Sequence, residues 1–309
     1  MRNSVKSIVA LAAALAVMTP GAAWAVEIKA GSWDLSLGGN VNAFATYSRC
    51  GTSNASVVGG LACSKADGSV DQFSIESGLL PSAFVFGAKT RAYDKIDTSA
   101  TLGIYPGLHV SSTRTGVANS GVAADVRQLF VTFGDKSWGT VKLGKDLGLF
   151  GSDVILSDML LLGVGAGTHS TINTTLGHIG TGYLYADWIP QVAYTTPSFG
   201  GLAVTVALVE GFGTAAFGMV QDDPATPEVE QDPMPFLNDT PGVQARVSYD
   251  FGGAAPGRAW VGGMYQNAKL DAPPENPDLT SVAGEVGAKV NVSGLGALAY
   301  GYVGDGVGA

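Results

Sequence analysis

The chain has 309 residues, of which 46% are hydrophobic and only 14% charged, with 44 glycines and a formal net charge of -9 at pH 7. An acidic chain of this kind does not present the basic surface that nucleic acid requires. Abundant apolar residues without long apolar runs point instead to alternation, the pattern of strands that are greasy on one face and wet on the other.

The first residues, MRNSVKSIVALAAALAVMTPGAAWA, combine a cationic start at Arg2 and Lys6, an apolar stretch from Ile8 to Val17, a Pro20-Gly21 break and the small-residue ending Ala23-Trp24-Ala25. That is the pattern of a secretory signal cleaved after Ala25, and the apolar stretch falls short of the roughly 20 residues a spanning helix needs. The expected mature domain runs from Val26 to Ala309, and losing Arg2 and Lys6 removes two positive charges and takes the formal charge from -9 to -11.

Alternation begins at Trp33, where Trp33, Leu35, Leu37, Gly39, Val41, Ala43, Ala45 and Tyr47 oppose Asp34, Ser36, Gly38, Asn40, Asn42, Phe44 and Thr46. The polar stretch CGTSNASVVGGLAC follows, and in an exported chain Cys50 and Cys63 are expected to close one surface loop as a disulfide. Candidate strands continue at 72–91, 95–112, 125–134, 138–146, 188–197, 201–210, 242–251, 258–268, 281–292 and 295–304, eleven in all with 33–48. Short links such as GDKS, PSFGG and SGLG alternate with long ones at 49–71, 113–124, 147–187, 211–241 and 269–280. Short turns at one end and long loops at the other are the layout of an outer-membrane barrel. Hydrocarbon offers no partner to backbone N–H and C=O, so a chain without spanning helices crosses only as a sheet whose ladder is paired. Phe133, Trp138, Phe199, Tyr249 and Phe251, all beside short turns, fit an aromatic girdle.

The segment RQLFVTFGDKSWGTVKLGKDLGLF, 127–150, places Arg127 and Lys145 where its alternation calls for apolar residues. With Phe133 at a rim, Arg127 lies about 15 Å into the apolar band. A charge facing lipid there costs on the order of 2–4 kcal/mol. A hairpin centred on residue 136 also sets Arg127 opposite Lys145, adding like-charge repulsion. Two arrangements avoid this: a break at Gly144 that turns Lys145 into the lumen, or an outer face covered by a neighbouring subunit.

RQLFVTFGDKSWGTVKLGKD resembles the fourth and fifth strands of Gram-negative general diffusion porins, and YADWIPQVAYTTPSFGGLAV resembles the sixth and seventh. The resemblance implies an all-β fold, a transmembrane antiparallel barrel of about 16 strands in a homotrimer, contacting outer-membrane lipid and lipopolysaccharide. It also implies passive diffusion of small hydrophilic solutes and ions, with the loop 147–187 folded into the lumen. Acidic side chains on such a loop face a basic wall, which puts Lys145 on the basic side and Asp153 and Asp158 on the acidic side, with Arg127 near that wall or at the trimer contact. The sequence differs from the family where the loop tip reads TTLGHIG in place of an acidic and aromatic signature, and where Asp187 stands at the usual position of a wall arginine. Both differences weaken the basic half of the constriction and predict a modest preference for cations. Eleven strands against about 16, and an ending GYVGDGVGA without a terminal aromatic, predict a barrel incomplete at its C-terminus.

Other chemistry finds little support. His109, His169 and His178 have no His or Cys partner at ligand spacing, so no metal or catalytic role is assigned to them. No G-x-S-x-G occurs, and GVGAGT at 163–168 matches no phosphate-binding loop, so the chain is read as a non-enzyme without cofactor. The segment 211–241, with Asp222, Asp223, Glu228, Glu230, Asp232 and Asp239 among five prolines, reads as an acidic external loop. Its oxygen ligands suit Ca²⁺, but they lack a fixed ligand spacing, and a solvated surface is the simpler expectation. Pro190 removes a ladder donor from the strand 188–197 and is expected where the inward loop rejoins the wall.

Overall fold

The computed structural model describes residues 26–49, 71–106, 124–164, 175, 177–180, 182–211, 220–221, 232–233, 236–237, 240–270 and 278–307. The expected signal, the Cys50–Cys63 pair, His109, His169 and most of the acidic segment lie outside these residues. In chain order the strands are β1 (Val26–Ala30), β2 (Trp33–Asn40), β3 (Phe44–Ser48), β4 (Gln72–Glu76), β5 (Ala83–Ala92), β6 (Ile96–Pro106), β7 (Ala124–Asp135) and β8 (Gly139–Leu147). After the four-residue helix α1 (Ser152–Ile155) come β9 (Trp188–Thr195), β10 (Leu202–Val209), β11 (Val220–Gln221), β12 (Asp232–Pro233) and β13 (Phe236–Leu237). The chain closes with β14 (Gly242–Phe251), β15 (Gly257–Leu270), β16 (Asp278–Val292) and β17 (Leu295–Asp305).

Twelve strands form one antiparallel line, β1-β2-β5-β6-β7-β8-β9-β10-β14-β15-β16-β17, and β13 adds a short pairing to β15. One more strand stands in this line than the sequence pattern predicts. It is β1, whose Val26 to Ala30 pair with Leu37 to Trp33; five residues against the leader are too few to show alternation. Among the described residues no ladder joins β1 to β17, so the sheet is open in this chain. Within the acidic segment, read from sequence as loop alone, β11 pairs with β12.

The expected strands 33–48 and 72–91 are each broken, and β3 and β4 pair with each other in a small separate sheet. Side chains take over where the ladder stops. Asn40 Nδ2 donates to Pro81 O at 3.3 Å, Asn42 Nδ2 to Leu80 O at 2.9 Å, and Asn42 N–H to Ser82 Oγ at 3.0 Å.

The polarity of the sheet is inverted relative to a soluble sandwich. Val247, Val261, Val286 and Gly301 are ladder partners in one row, and Val261 and Val286 are 54% and 61% exposed. The next row on the opposite face, Ser248, Trp260, Gly287 and Tyr300, holds Ser248 and Trp260 buried. Apolar side chains therefore cover the outside, while the polar positions of the alternation face inward. Beside the short turns Phe133, Trp138, Tyr194, Phe199 and Tyr249 are exposed. Tyr194 donates its hydroxyl to Trp138 O at 2.6 Å, and the Tyr249 and Phe251 rings lie 6.0 Å apart. Such amphipathic rings suit the boundary between water and hydrocarbon.

Candidate functional site

Between β8 and β9 the described residues, 148–164, 175, 177–180 and 182–187, fold against the inner face of the sheet. The neck of this loop is closed by Gly148 N–H donating to Asp187 O at 2.7 Å. Gln191 reinforces the neck, donating from Nε2 to the carbonyls of Asp146 at 3.1 Å and Leu147 at 3.0 Å. From there the loop runs onto the β14–β17 wall. Gln244 Oε1 accepts the N–H groups of Leu149 and Phe150 at 2.6 and 3.0 Å, and Glu285 Oε2 accepts Gly151 N–H at 3.0 Å and the Tyr300 hydroxyl at 2.9 Å. These wall side chains satisfy backbone donors that a loop buried inside a barrel must place somewhere.

Asp153 of α1 is the centre of the contact. Arg246 Nη1 lies 2.5 Å from its Oδ2 and Arg258 Nη1 3.0 Å from its Oδ1. Arg246 also donates to Ser152 Oγ at 2.7 Å, Arg258 makes two further bonds to Asp250 at 2.6 and 2.7 Å, and Lys289 Nζ donates to Ser157 Oγ at 3.1 Å. Apolar groups seal the same interface, with Val154, Ile155, Tyr183 and Ala186 packed on Trp260, and Phe150 and Leu184 on Ala283. Gly287 makes room for the Trp260 indole, since a Cβ there would overlap its six-membered ring.

The far end of the loop reaches the link between β4 and β5. Leu80 N–H donates to Leu161 O at 3.0 Å, and Thr175 N–H to Ser77 O at 3.0 Å. Gly78 has no room for a Cβ because the Gly163 carbonyl lies against it. The loop is thus a strap fastened at both ends, from the β14–β16 wall to the opposite flank of the sheet.

The residues expected at a constriction are distributed as follows. Asp153 meets a basic wall, but its partners are Arg246 and Arg258 from β14 and β15. Asp158 is buried within the loop, accepting the Tyr183 hydroxyl at 2.5 Å, Leu160 N–H at 2.8 Å, His178 N–H at 3.1 Å and a contact with His178 Nδ1 at 3.0 Å. Burial pushes this carboxyl up, but the hydrogen bonds outweigh it and hold Asp158 below the usual carboxylate range. Burial and then the Asp158 hydrogen bond push the Tyr183 phenol well above its ordinary value. Asp187 sits at the neck with φ of 52°, its Oδ1 accepting Trp188 N–H at 2.6 Å.

Lys145 is half-exposed and pairs with Leu129 on one side and Pro190 on the other, a row of the outer face. The opposing residue is Leu129, two positions from the expected Arg127, because the turn centres on residue 137. Gly144 does adopt a φ of 127°, but the inward cation of β8 is Lys142, which contacts Asp146 and lies 5.1 Å from the Phe130 ring centre. Arg127 turns inward by a different device. The β6–β7 register shifts so that Gly103 pairs Gln128 while Ile104 pairs Val126, leaving Arg127 as the extra residue of a bulge. It is buried, 3.0 Å from Asp125 and 5.2 Å from the centre of the Tyr105 ring. Tyr105 continues the network to Gln128 Oε1 at 2.9 Å, and Gln128 Nε2 to Asp146 Oδ1 at 3.1 Å.

Arg246, Arg258, Lys289, Glu285 and Gln244 escaped assignment from sequence. Their signal was present as the polar positions of alternating strands, but the loop they hold lies about 100 residues away in the chain. Among the described residues, no group of three or more His, Cys, Asp or Glu is placed to hold a metal ion.

The fold matches the outer membrane channel DcaP of Acinetobacter baumannii with a TM-score of 0.55 at 17% identity, covering 88% of this chain and 64% of that one. The chain therefore spans less than two thirds of that channel's length. OmpT, an outer membrane protein of Vibrio cholerae, aligns at 15% identity over 92% of this chain and 80% of its own, with a TM-score of 0.36. A search of curated protein sequences finds no match. A family profile described as Gram-negative porin matches residues 10–308. The chain belongs to the Gram-negative porin family, and its place is the bacterial outer membrane.

Proposed function

We propose that this chain forms the wall and internal loop of a water-filled channel through which small hydrophilic solutes and ions diffuse passively across the outer membrane. The carrying observation is the inverted sheet, apolar outside and polar inside, with the described residues of the connection between β8 and β9 laid as a strap against its inner face. The strap narrows the passage, and no chemical step is part of the proposal. We place the constriction along the strap, with Asp153, Asp158 and Asp187 on it and the charges of the wall around it.

At the strap contact Asp153 of the strap, with Asp250 and Glu285 of the wall, lies among Arg246, Arg258 and Lys289 of the same wall, so opposite charges there largely cancel. With a net charge of -9 over the chain, this supports only a modest preference for cations. Arg127, bound to Asp125, and Lys145, on the outer row, add little to it. The exposed apolar outer face fits lipid and a homotrimer of such barrels. Planar-bilayer recordings test the reading: conductance should rise linearly with salt and the reversal potential in a KCl gradient should carry the sign of weak cation selectivity. Conductance that saturates with one solute would favour a solute-specific channel on the same scaffold, and a sealed bilayer would reject both.

A further inference from the structure

Lys145 stands where the outer face of the sheet calls for an apolar residue. It ends the ladder row Leu37, Phe86, Leu102, Leu129, in which Phe86 and Leu129 are exposed. The next row towards the short turns is Leu35, Ala88, Ala100, Val131, Leu143. Ala88 and Ala100 pair with each other in the middle of that row, and over their short side chains the outer face is hollowed into an apolar groove of about 450 Å³. This is the size of a site for one small molecule. Leu129, the cross-strand partner of Lys145, and Leu143, two residues before it on β8, both line the groove, so the lysine is rooted at its edge.

Trp138, beside the β7–β8 turn, marks one boundary of the hydrocarbon. Lys145 is seven residues further along the chain, which at the rise and tilt of a barrel strand is about 18 Å. The apolar band is about 25 Å tall, so the lysine backbone lies about 7 Å short of the opposite boundary, the one with the long loops. A four-carbon stem carries its ammonium to the headgroups from there, while the groove stays below in hydrocarbon. Among the described residues no carboxylate pairs with Lys145. The two rows contain none, and Glu210, whose N–H donates to the carbonyl of Pro190 on the neighbouring strand, makes no ion pair with it.

We infer that Lys145 and the groove beneath it hold one phosphorylated lipid of the outer leaflet, an acyl chain lying over Ala88 and Ala100 and the phosphate meeting the ammonium. The inference rests on the apolar face of the sheet meeting lipid, not on conduction through the lumen. Lysine binds phosphate as a point charge, and one such charge near a membrane surface favours an anionic lipid about five-fold. A second copy of the chain docked here about a two-fold axis would set these rows against themselves, bringing leucines and another lysine but no counter-charge. A phosphorylated lipid supplies chain and counter-charge together.

The experiment titrates the full chain in detergent with phosphatidic acid and, separately, with phosphatidylcholine of the same acyl chains, and counts the lipids retained per chain by native mass spectrometry. One phosphatidic acid should be retained with about five-fold higher affinity than phosphatidylcholine. Lys145→Gln should bring the two lipids level. Ala100→Phe, which fills the groove from an outward position, should weaken both by about three-fold or more and leave the preference between them. Equal affinities in the wild-type protein, a preference that survives Lys145→Gln, or binding untouched by Ala100→Phe overturns the inference. So does a disulfide between copies in lipid bilayers that forms with Lys145→Cys and not with the wild-type protein, since this face would then be a subunit contact. The titration needs no current, so its failure is read separately from a failure of the pore reading in planar bilayers.

Discussion

At the scale of single residues, the ion pairs of Asp153 decide where the strap lies. Arg246 is mostly buried beside it, so removing the carboxylate leaves a buried guanidinium without its counter-charge. Asp153→Asn is expected to cost about 3–5 kcal/mol of the unfolding free energy in detergent, and to make single-channel current noisier as the strap loosens. Asp158 acts at a different pH. A carboxyl lowered in the folded state contributes stability that is complete above its unfolded value of about 3.9 and is lost as pH falls through the folded value. Protection of the Leu160 and His178 amides, whose N–H groups Asp158 accepts, should therefore hold down to about pH 4 and be lost below it; Asp158→Asn should show the lost protection already at neutral pH. The resemblance to porins implies an acidic role in the lumen for both aspartates, but nothing local in the sequence distinguishes Asp153, which grips the wall, from Asp158, which holds the loop itself.

At the scale of elements, two irregularities keep the ladder consistent with residues that its pattern does not favour. The bulge at Arg127 adds one residue to β7, so Arg127 and Gln128 both serve the interior while Val126 and Leu129 stay exposed outside. Pro190 is the second. Backbone N and C=O of one strand residue point to the same side, and Pro190 O accepts Glu210 N–H at 2.9 Å just past the end of β10. Its missing donor thus faces a ladder that has already finished, and the pairing with Lys145 on β8 loses nothing. Pro190→Ala should lower stability by less than about 1 kcal/mol, from unfolded-chain entropy alone, whereas Val192→Pro, in the middle of β9, should cost about 3 kcal/mol or more. Urea titrations of the two variants separate these outcomes.

At the scale of the whole molecule, the inverted polarity makes a claim that a soluble protein could not meet. Val286 is 61% exposed on the outer face, and Val286→Arg is expected to destabilise the protein in lipid bilayers by about 2–4 kcal/mol if it lies near the midplane. The same change should be nearly neutral if that face meets water. Folding titrations into phospholipid vesicles measure the difference. The strap ties the flanks of an open sheet, β14–β16 to the β4–β5 link, so its contacts and the curvature of the wall depend on each other.

The sequence by itself determined the class of fold and most of its strands, while the inward course of the long connection came from the resemblance of its flanking strands to porins. Period-two alternation and the lengths of connections are local properties, written within ten to forty consecutive residues. Only the tertiary structure decided which charges meet. Asp153 finds Arg246 and Arg258 across some 100 residues of chain, and a bulge of one residue reverses the face of Arg127 without leaving a mark in the pattern. Pairings between distant segments depend on register and curvature summed over many strands, and no short stretch carries that sum.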